Sequence, residues 1–381
     1  MASKDPANTP GELSVWDRVT LVGLFPLNPV LHWRQRLALA FLQAQRASFP
    51  TRHLRWLNRR VSTGEAILRH CDKHKIPHRT VTLDARTTSD RAAEASIPAP
   101  TLHFLTPPAA PDNESGPTLV YFHGGGFVNP LRGAAHMPFI MRCAGACRAK
   151  QVVVLEYVLS PEHPYPAQLV QCVATLRHLV DEMGLRPGDL VLAGDSAGGQ
   201  LVGALLAHLV KPSPYAAPVK LNGKFRAALF VSPFVRLQEG VGSYETNDGK
   251  DYLNRSQVDK FMSAWKGNGE EIWADLCGAS ESGDVWRQVF ARGSQGLVRK
   301  VMVTVGTADI LLDSCRVFAK EHVQAETVLA GRDRDYKVFD GKDMVLAECD
   351  GEVHVQVALD SVVGYEKGSM ERAIMSWLAG L

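Results

Sequence analysis

The sequence has little of what marks a secreted, membrane-spanning or nucleic-acid-binding chain. Its seven cysteines, Cys71, Cys143, Cys147, Cys172, Cys277, Cys315 and Cys349, contain no C-x-x-C pair and no regular spacing. An odd, scattered set excludes a disulfide framework and suits reduced thiols inside a cell. Cys143 and Cys147 are four apart, a spacing that on a helix would put both on one face, but no second pair or nearby His-x-x-x-His completes four ligands, so no metal is expected. Charge of one sign is not in excess: 42 Lys+Arg face 40 Asp+Glu, a net +2, and nucleic acid is not expected as a partner. Long apolar runs are missing too. Between Val19 and Leu42 the pieces VTLVGLFPL and LALAFL are split by Pro26, Pro29, Arg34 and Arg36, short of the roughly 20 apolar residues that span a bilayer. At the start, Asp5, Glu12 and Asp17 interrupt the run a signal peptide needs, so a cytoplasmic chain is expected. One local absence stands out: from Arg18 to Gly64 there are eight arginines and no acid. That composition suits an amphipathic helix packed on its own body with arginines in solvent, and it leaves open weak peripheral contact with an anionic membrane.

What is present is an ordinary globular composition, 45% hydrophobic and 22% charged over 381 residues, enough for a large core. Short, nearly continuous apolar runs at Thr118–Phe122, Gln151–Val158, Asp189–Gly194, Ala227–Ser232 and Lys300–Gly306 suit strands buried on both faces. Helical patterns fall between them at Ala167–Met183, Ala197–Val210 and Leu312–Ala325. This β-α-β-α order implies an α/β fold with a mostly parallel sheet and helices on both sides. Pro98 to Pro117 reads as a connection. Arg236 to Gly296 is far longer than such links need and reads as a helical insertion at the sheet's carboxyl edge. Its Trp265, Trp273 and Trp286, with Phe261 and Phe290, either line a ligand pocket or anchor the insertion.

Gly194-Asp195-Ser196-Ala197-Gly198 follows a strand and opens a helix. G-x-S-x-G in that context places the serine on a strained turn, where a side chain on either flanking glycine position would clash. No Lys follows, which disfavours a phosphate cradle. His123-Gly124-Gly125-Gly126-Phe127 ends the Thr118–Phe122 strand. Three successive glycines let backbone N–H groups of Gly124, Gly125 and Gly126 turn inward and, with that of Ala197, hold a developing oxyanion. A serine nucleophile needs a base and an orienting acid, in this sheet type in the order Ser, acid, His. His208 sits about three turns along the serine's own helix and cannot fold back. His322 reads as a surface residue inside a later helix. His354 occupies a loop between Met344–Cys349 and a last helix at Glu366–Leu378, and is the expected base. Asp309 lies in the loop after Lys300–Gly306 and is the expected acid, while Asp313 suits the helix N-terminus.

HGGGF, then EYVLSPEHPYPA (Glu156–Ala167), GDSAGG and the G-x-x-D-x-L-x-D run Gly306–Asp313 closely resemble the hormone-sensitive-lipase-like esterases and lipases of the α/β-hydrolase fold. The resemblance covers roughly Thr118 to the C-terminus. It implies hydrolysis of a small-molecule carboxylic ester by Ser196, His354 and Asp309 with no cofactor, the oxyanion held by Gly125, Gly126 and Ala197, and the SPEHPYPA segment bracing the oxyanion loop. It also implies a cap, here an N-terminal helical segment 1–75 and an insertion at about 236–296, on a catalytic domain 76–381. The same site would serve a tailoring enzyme of specialised metabolism, as a deacetylase, lactone hydrolase or acyltransferase. A non-catalytic receptor on this scaffold is disfavoured by His354, since the base is typically missing there. Around that histidine the residues Glu352-Val353-His354-Val355 depart from the family pattern. Oligomeric state and substrate identity are not legible.

Overall fold

A computed structural model of the protein describes residues 28–48, 59–83, 97–108, 115–237, 242–293 and 295–381. The first residues, the VTLVGLFPL run, residues 109–114 of the Pro-rich stretch and 238–241 and 294 of the insertion lie outside the described residues. Among the described residues nine strands form one sheet: β1 (His78–Thr82), β2 (Thr101–Leu105), β3 (Thr118–Phe122), β4 (Gln151–Glu156), β5 (Leu190–Asp195), β6 (Phe225–Val231), β7 (Val298–Gly306), β8 (Glu326–Ala330) and β9 (Met344–Cys349). Their spatial order is β1-β2-β4-β3-β5-β6-β7-β9-β8. Strand β2 pairs antiparallel with β1 and β4, and every later pairing is parallel.

Two-sided burial explains why the central strands read as apolar runs. All five residues of β3 are buried. Val120 and Phe122 pack on one face with Leu192, Phe230 and Val303. Leu119 and Tyr121 pack on the other with Ala193, Leu229 and Met302. Parallel strands covered by helices on both sides have no solvent face to alternate toward. The helix Ala197–Val210 lies where its pattern predicts it. The two other expected helices are shorter, each closing in a π-helical turn, at His178–Glu182 after Ala167–Arg177 and at Phe318–His322 after Leu312–Val317. The reading of Pro98–Pro117 as plain connection is corrected: β2 lies within it, because Pro98, Pro100 and Pro107 flank TLHFL without interrupting its hydrogen bonding.

The described part of the insertion holds helices Ser243–Thr246, Arg255–Trp265 and Ser282–Val289. Its three tryptophans are buried anchors. Trp265 stacks on Phe127 with centroids 4.4 Å apart and its Nε1–H donates to Gln168 Oε1. The Nε1–H groups of Trp273 and Trp286 donate to the carbonyls of Lys211 and Leu276. Near the N-terminus, Leu31 and the helix Trp33–Ser48, through Leu39 and Leu42, pack with Ala308, Val353 and Leu359, which belong to or follow the loops after β7 and β9. Among the described residues no helix is long and apolar enough to cross a membrane. None of the seven cysteines forms a disulfide, and all but Cys277 are buried.

Trp286 is fully buried, stacked on Phe290 and edge-on to Phe318. Trp286→Ala is expected to lower unfolding free energy by about 3–5 kcal/mol, read from urea denaturation. A loss under about 1 kcal/mol would mean that the tryptophan is not what ties the insertion to the body.

Candidate active site

Ser196, Asp309 and His354 sit on three loops at the carboxyl ends of β5, β7 and β9, the edge where open parallel sheets place their ligands. Glycines let these loops come together. A Cβ on Gly198 would fall on the Phe122 carbonyl, one on Gly194 on the Gly198 carbonyl, and one on Gly306 on the Glu352 carbonyl. Ser196 itself holds φ 51°, ψ −117°, a region costly for a residue with a Cβ and maintained only by its surroundings. Its N–H donates to Val231 O and its carbonyl accepts from Phe234 N–H. The hydroxyl therefore projects beyond the sheet edge.

The His354 ring bridges the other two residues. Nε2 is 2.9 Å from Ser196 Oγ and Nδ1 is 3.2 Å from both Asp309 carboxylate oxygens. Asp309 is fully buried, and its Oδ1 also accepts from Leu311 N–H at 2.9 Å. Burial alone would depress the imidazole; Asp309, Asp251 and Asp195 outweigh it and hold the His354 pKa above 6.5. The ring is aimed by Val355, a β-branched residue in the left-handed region at φ 44°, whose N–H donates to Ser232 Oγ at 3.1 Å. Glu352, part of the unusual sequence here, accepts from the N–H groups of Ser369 and Met370 at the start of the last helix, Ser369–Ala379.

Of the four backbone groups expected to face an oxyanion, one is corrected. The Gly124 N–H donates to Asp195 Oδ1 at 3.0 Å, so it points away from the serine. The N–H groups of Gly125, Gly126 and Ala197 meet no protein acceptor among the described residues. Gly125 and Gly126 hold φ 122° and 63°, with no room for a Cβ against Asn129 O and the Phe261 ring. His123 fastens the loop from behind: its ring is buried, stacked on Tyr157 at 4.3 Å, with Nδ1 2.7 Å from Gly124 O. Burial pushes its pKa down to about 4, which keeps it neutral. The SPEHPYPA segment touches the same loop, Ser160 N–H donating to Phe127 O at 2.8 Å, and Arg59 binds the carbonyls of Val128 and Ser160.

A sequence model described as "alpha/beta hydrolase fold" matches residues 119–343, more than half of the chain. The chain belongs to the α/β hydrolase fold family. The match runs from β3 past Asp309 and ends before His354. The chain is 32% identical over 201 residues to carboxylesterase NlhH of Mycobacterium tuberculosis, covering 52% of this chain and 56% of that protein. It is 36% identical over 123 residues to tuliposide A-converting enzyme b1 of Tulipa gesneriana, covering 28% and 33% respectively. The matched stretches thus span about half or less of these relatives. A solved esterase from the bacterial hormone-sensitive lipase family superposes with a TM-score of 0.61 at 22% identity, over 92% of this chain and 98% of that one. The likeness read from the motifs and the fold class are both borne out by these matches.

Other histidines stay away from the serine. His208 is buried on the helix Ala197–Val210, where Nδ1 accepts from Ser213 N–H and Nε2 lies 3.1 Å from Ala217 O. His322, expected at the surface, is half-buried beside Phe318, in a π-helical turn that closes at Val323. Asp313 accepts from Ser243 N–H at 2.8 Å at the start of a short helix in the insertion. Two carboxylates escaped the sequence reading. Asp195 is buried under Gly124, accepts from Tyr121 Oη–H at 2.7 Å and lies 3.4 Å from His136 Nε2; burial opposes its charge, but His136 and Tyr121 hold its pKa below the usual value. Asp251, from the insertion, accepts from the backbone N–H groups of Ile310 and His354. The GDSAG pattern signals the first by position; nothing local signals the second.

Gly198→Ala puts a methyl group onto the backbone carbonyl of Phe122, which the sheet holds in place. The variant should be at least about 3 kcal/mol less stable, read as a fall in thermal midpoint. An unchanged midpoint would mean the close approach is not required.

Proposed function

We propose that the protein is a serine hydrolase of carboxylic esters working through an acyl-enzyme. The observation that carries this is the aligned set Ser196 Oγ, His354 Nε2 and Nδ1, and Asp309, at 2.9 Å and 3.2 Å, beside the uncommitted N–H groups of Gly125, Gly126 and Ala197. Ser196 Oγ attacks the ester carbonyl carbon as His354 Nε2 takes its proton. Asp309 accepts from Nδ1–H and stabilises the imidazolium. The oxyanion lies against the three N–H groups, each worth about 3 kcal/mol where such a donor has been removed. Collapse breaks the C–O bond, and His354 gives the proton to the departing alcohol. Water then repeats the sequence on the acyl-serine, releasing the acid and restoring Ser196. The similarity to a carboxylesterase supports this reaction. In this reading residues 76–381 are the catalytic body, and the N-terminal segment with the insertion is its cap, Phe261 lying over Gly126 and Tyr252 near His354.

The likeness to a tuliposide A-converting enzyme is compatible with a second reading, a tailoring reaction at the same site, as a deacetylase, lactone hydrolase or acyltransferase. Product analysis with water and alcohol acceptors separates the two. For either, Ser196→Ala should cut kcat on a short-chain aryl ester by at least about 10,000-fold and abolish labelling by a fluorophosphonate. A wild type that is not labelled would instead revive a receptor. Because His354 must be neutral to act, kcat/KM should fall as pH drops through its pKa, above 6.5; a midpoint below 6.5 contradicts this.

The outer face of helix Trp33–Ser48 is assigned to contact with an anionic membrane surface. Trp33, Leu37 and Phe41, with Val30 just before the helix, are four of the eight large hydrophobics exposed among the described residues, and the three on the helix are spaced four apart along one face. The helix has no acid, and Arg34, Arg332 and Lys367 lie close enough to His32 to lower its pKa alongside burial. A two-fold self-contact would set these cations against each other, whereas lipid phosphates pair with them. The wild type should float with vesicles of phosphatidylcholine and phosphatidylserine, and Trp33→Ala/Leu37→Ala/Phe41→Ala should bind about tenfold less. Absence of flotation, or a salt-stable dimer lost in the triple variant, would overturn the assignment.

A further inference from the structure

We infer that Asp251, carried by the insertion after β6, is a positioning residue that joins the Asp309 loop to the His354 loop, so that the imidazole is aligned only while the insertion is seated. The inference rests on the Ser196–His354–Asp309 reading above and deepens it. Asp251 is 3% exposed. Its Oδ2 accepts from Ile310 N–H at 3.0 Å, next to Asp309, and from the N–H of His354 itself at 3.2 Å; its Oδ1 accepts from Leu253 N–H at 3.1 Å. Among the described residues it is the side chain that accepts backbone N–H groups from both loops. Asn247, one helical turn earlier in the insertion, donates to the carbonyls of Thr307 and Asp309 at 3.1 and 2.9 Å, which strengthens the grip on the acid loop without reaching the base.

A carboxylate is an expensive group to bury here. Burial and the nearby Asp309 push its pKa up to about 7, and a neutral side chain of the same size would avoid that cost. What the carboxylate supplies is two acceptor atoms for three backbone N–H groups that would otherwise be buried without partners. Its oxygens meet the main chain of His354 and not the ring nitrogens, so it acts on the reaction through geometry. The neighbouring Lys250 ammonium is turned to Asn247 Oδ1 at 3.0 Å. The charged groups facing the imidazole are therefore Asp309, Asp251 and Asp195.

The test uses the full chain and a short-chain aryl ester. Asp251→Ala leaves two loop N–H groups unpaired and should lower kcat about 100-fold with KM within about threefold, since a misplacement near 1 Å costs that much. Fluorophosphonate labelling should slow in parallel. Asp251→Asn keeps an amide oxygen for the Ile310 and His354 N–H groups. It should recover kcat to within about tenfold of wild type, while the acidic limb of kcat/KM moves to lower pH because the share of negative charge that Asp251 carries beside the imidazole is gone. A kcat for Asp251→Ala within about twofold of wild type, or a loss confined to KM, overturns the inference. If Asp251→Ala does not fold, Asp251→Asn decides: a displaced acidic limb supports the role, and a profile superimposable on wild type refutes it. A wild type that neither turns over nor labels sinks the hydrolase reading separately. Amide exchange at Ile310 and His354, faster in Asp251→Ala and near wild type in Asp251→Asn if the tie holds the loops, and unchanged in both if it does not, then tests the tie without activity.

Discussion

Backbone packed directly on backbone at the carboxyl edge of the sheet is the contact on which the rest of the site depends. Gly194 and Gly198 let the first turn of the serine's helix lie against the end of β3, and Gly306 lets the acid loop lie under the base loop. Without those approaches the three loops would stand a side chain's width apart, and no rotamer of His354 could span Ser196 and Asp309. The cost is local strain: Ser196, Ser232 and Val355 all sit at positive φ. Such conformations persist where surrounding hydrogen bonds over-determine them, and here Val355 N–H on Ser232 Oγ and Ser196 N–H on Val231 O do so.

Buried polar groups turn that packing into orientation. Asp195 ties the elbow to the first glycine of the HGGG loop, and His123 with Tyr157 closes the loop from behind. Holding Gly124 by its N–H leaves the next two glycines to face outward, so a residue that touches no substrate selects which donors remain. Burial favours the neutral form of His123 and opposes the charge on Asp195. The first is accepted and the second is outweighed by specific partners.

Legibility in the sequence followed burial. Thr118–Phe122, Met344–Cys349 and Ala197–Val210 lie where their residues predict, because a strand or helix buried on all sides must be apolar throughout and is bounded by glycine or polar residues. The edge strands were missed for the converse reason. β1 reads HRTVT and has no buried residue, and β8 reads ETVLA with one. Each is defined by hydrogen bonds to one neighbour, which leave no hydrophobic imprint. The helices Gly133–Ala146 and Gln356–Val362 are not marked by the sequence pattern, the first because Pro138 and six Gly or Ala residues blur its period.

The residue types needed at each point of the candidate site were set by the sequence alone: a serine between glycines, three glycines after a strand, an acid and then a histidine after later strands. These are local demands of backbone conformation, and local demands leave a local pattern. Which groups meet was decided by tertiary structure. That Gly124 turns to Asp195 while Gly125 and Gly126 face outward, that the tryptophans anchor the insertion while Phe261 reaches the site, and that Asp251 joins loops 59 and 103 residues away all depend on how separate segments pack. Contacts at such separations arise from the three-dimensional closure of the core, and one chain's linear pattern does not encode them position by position.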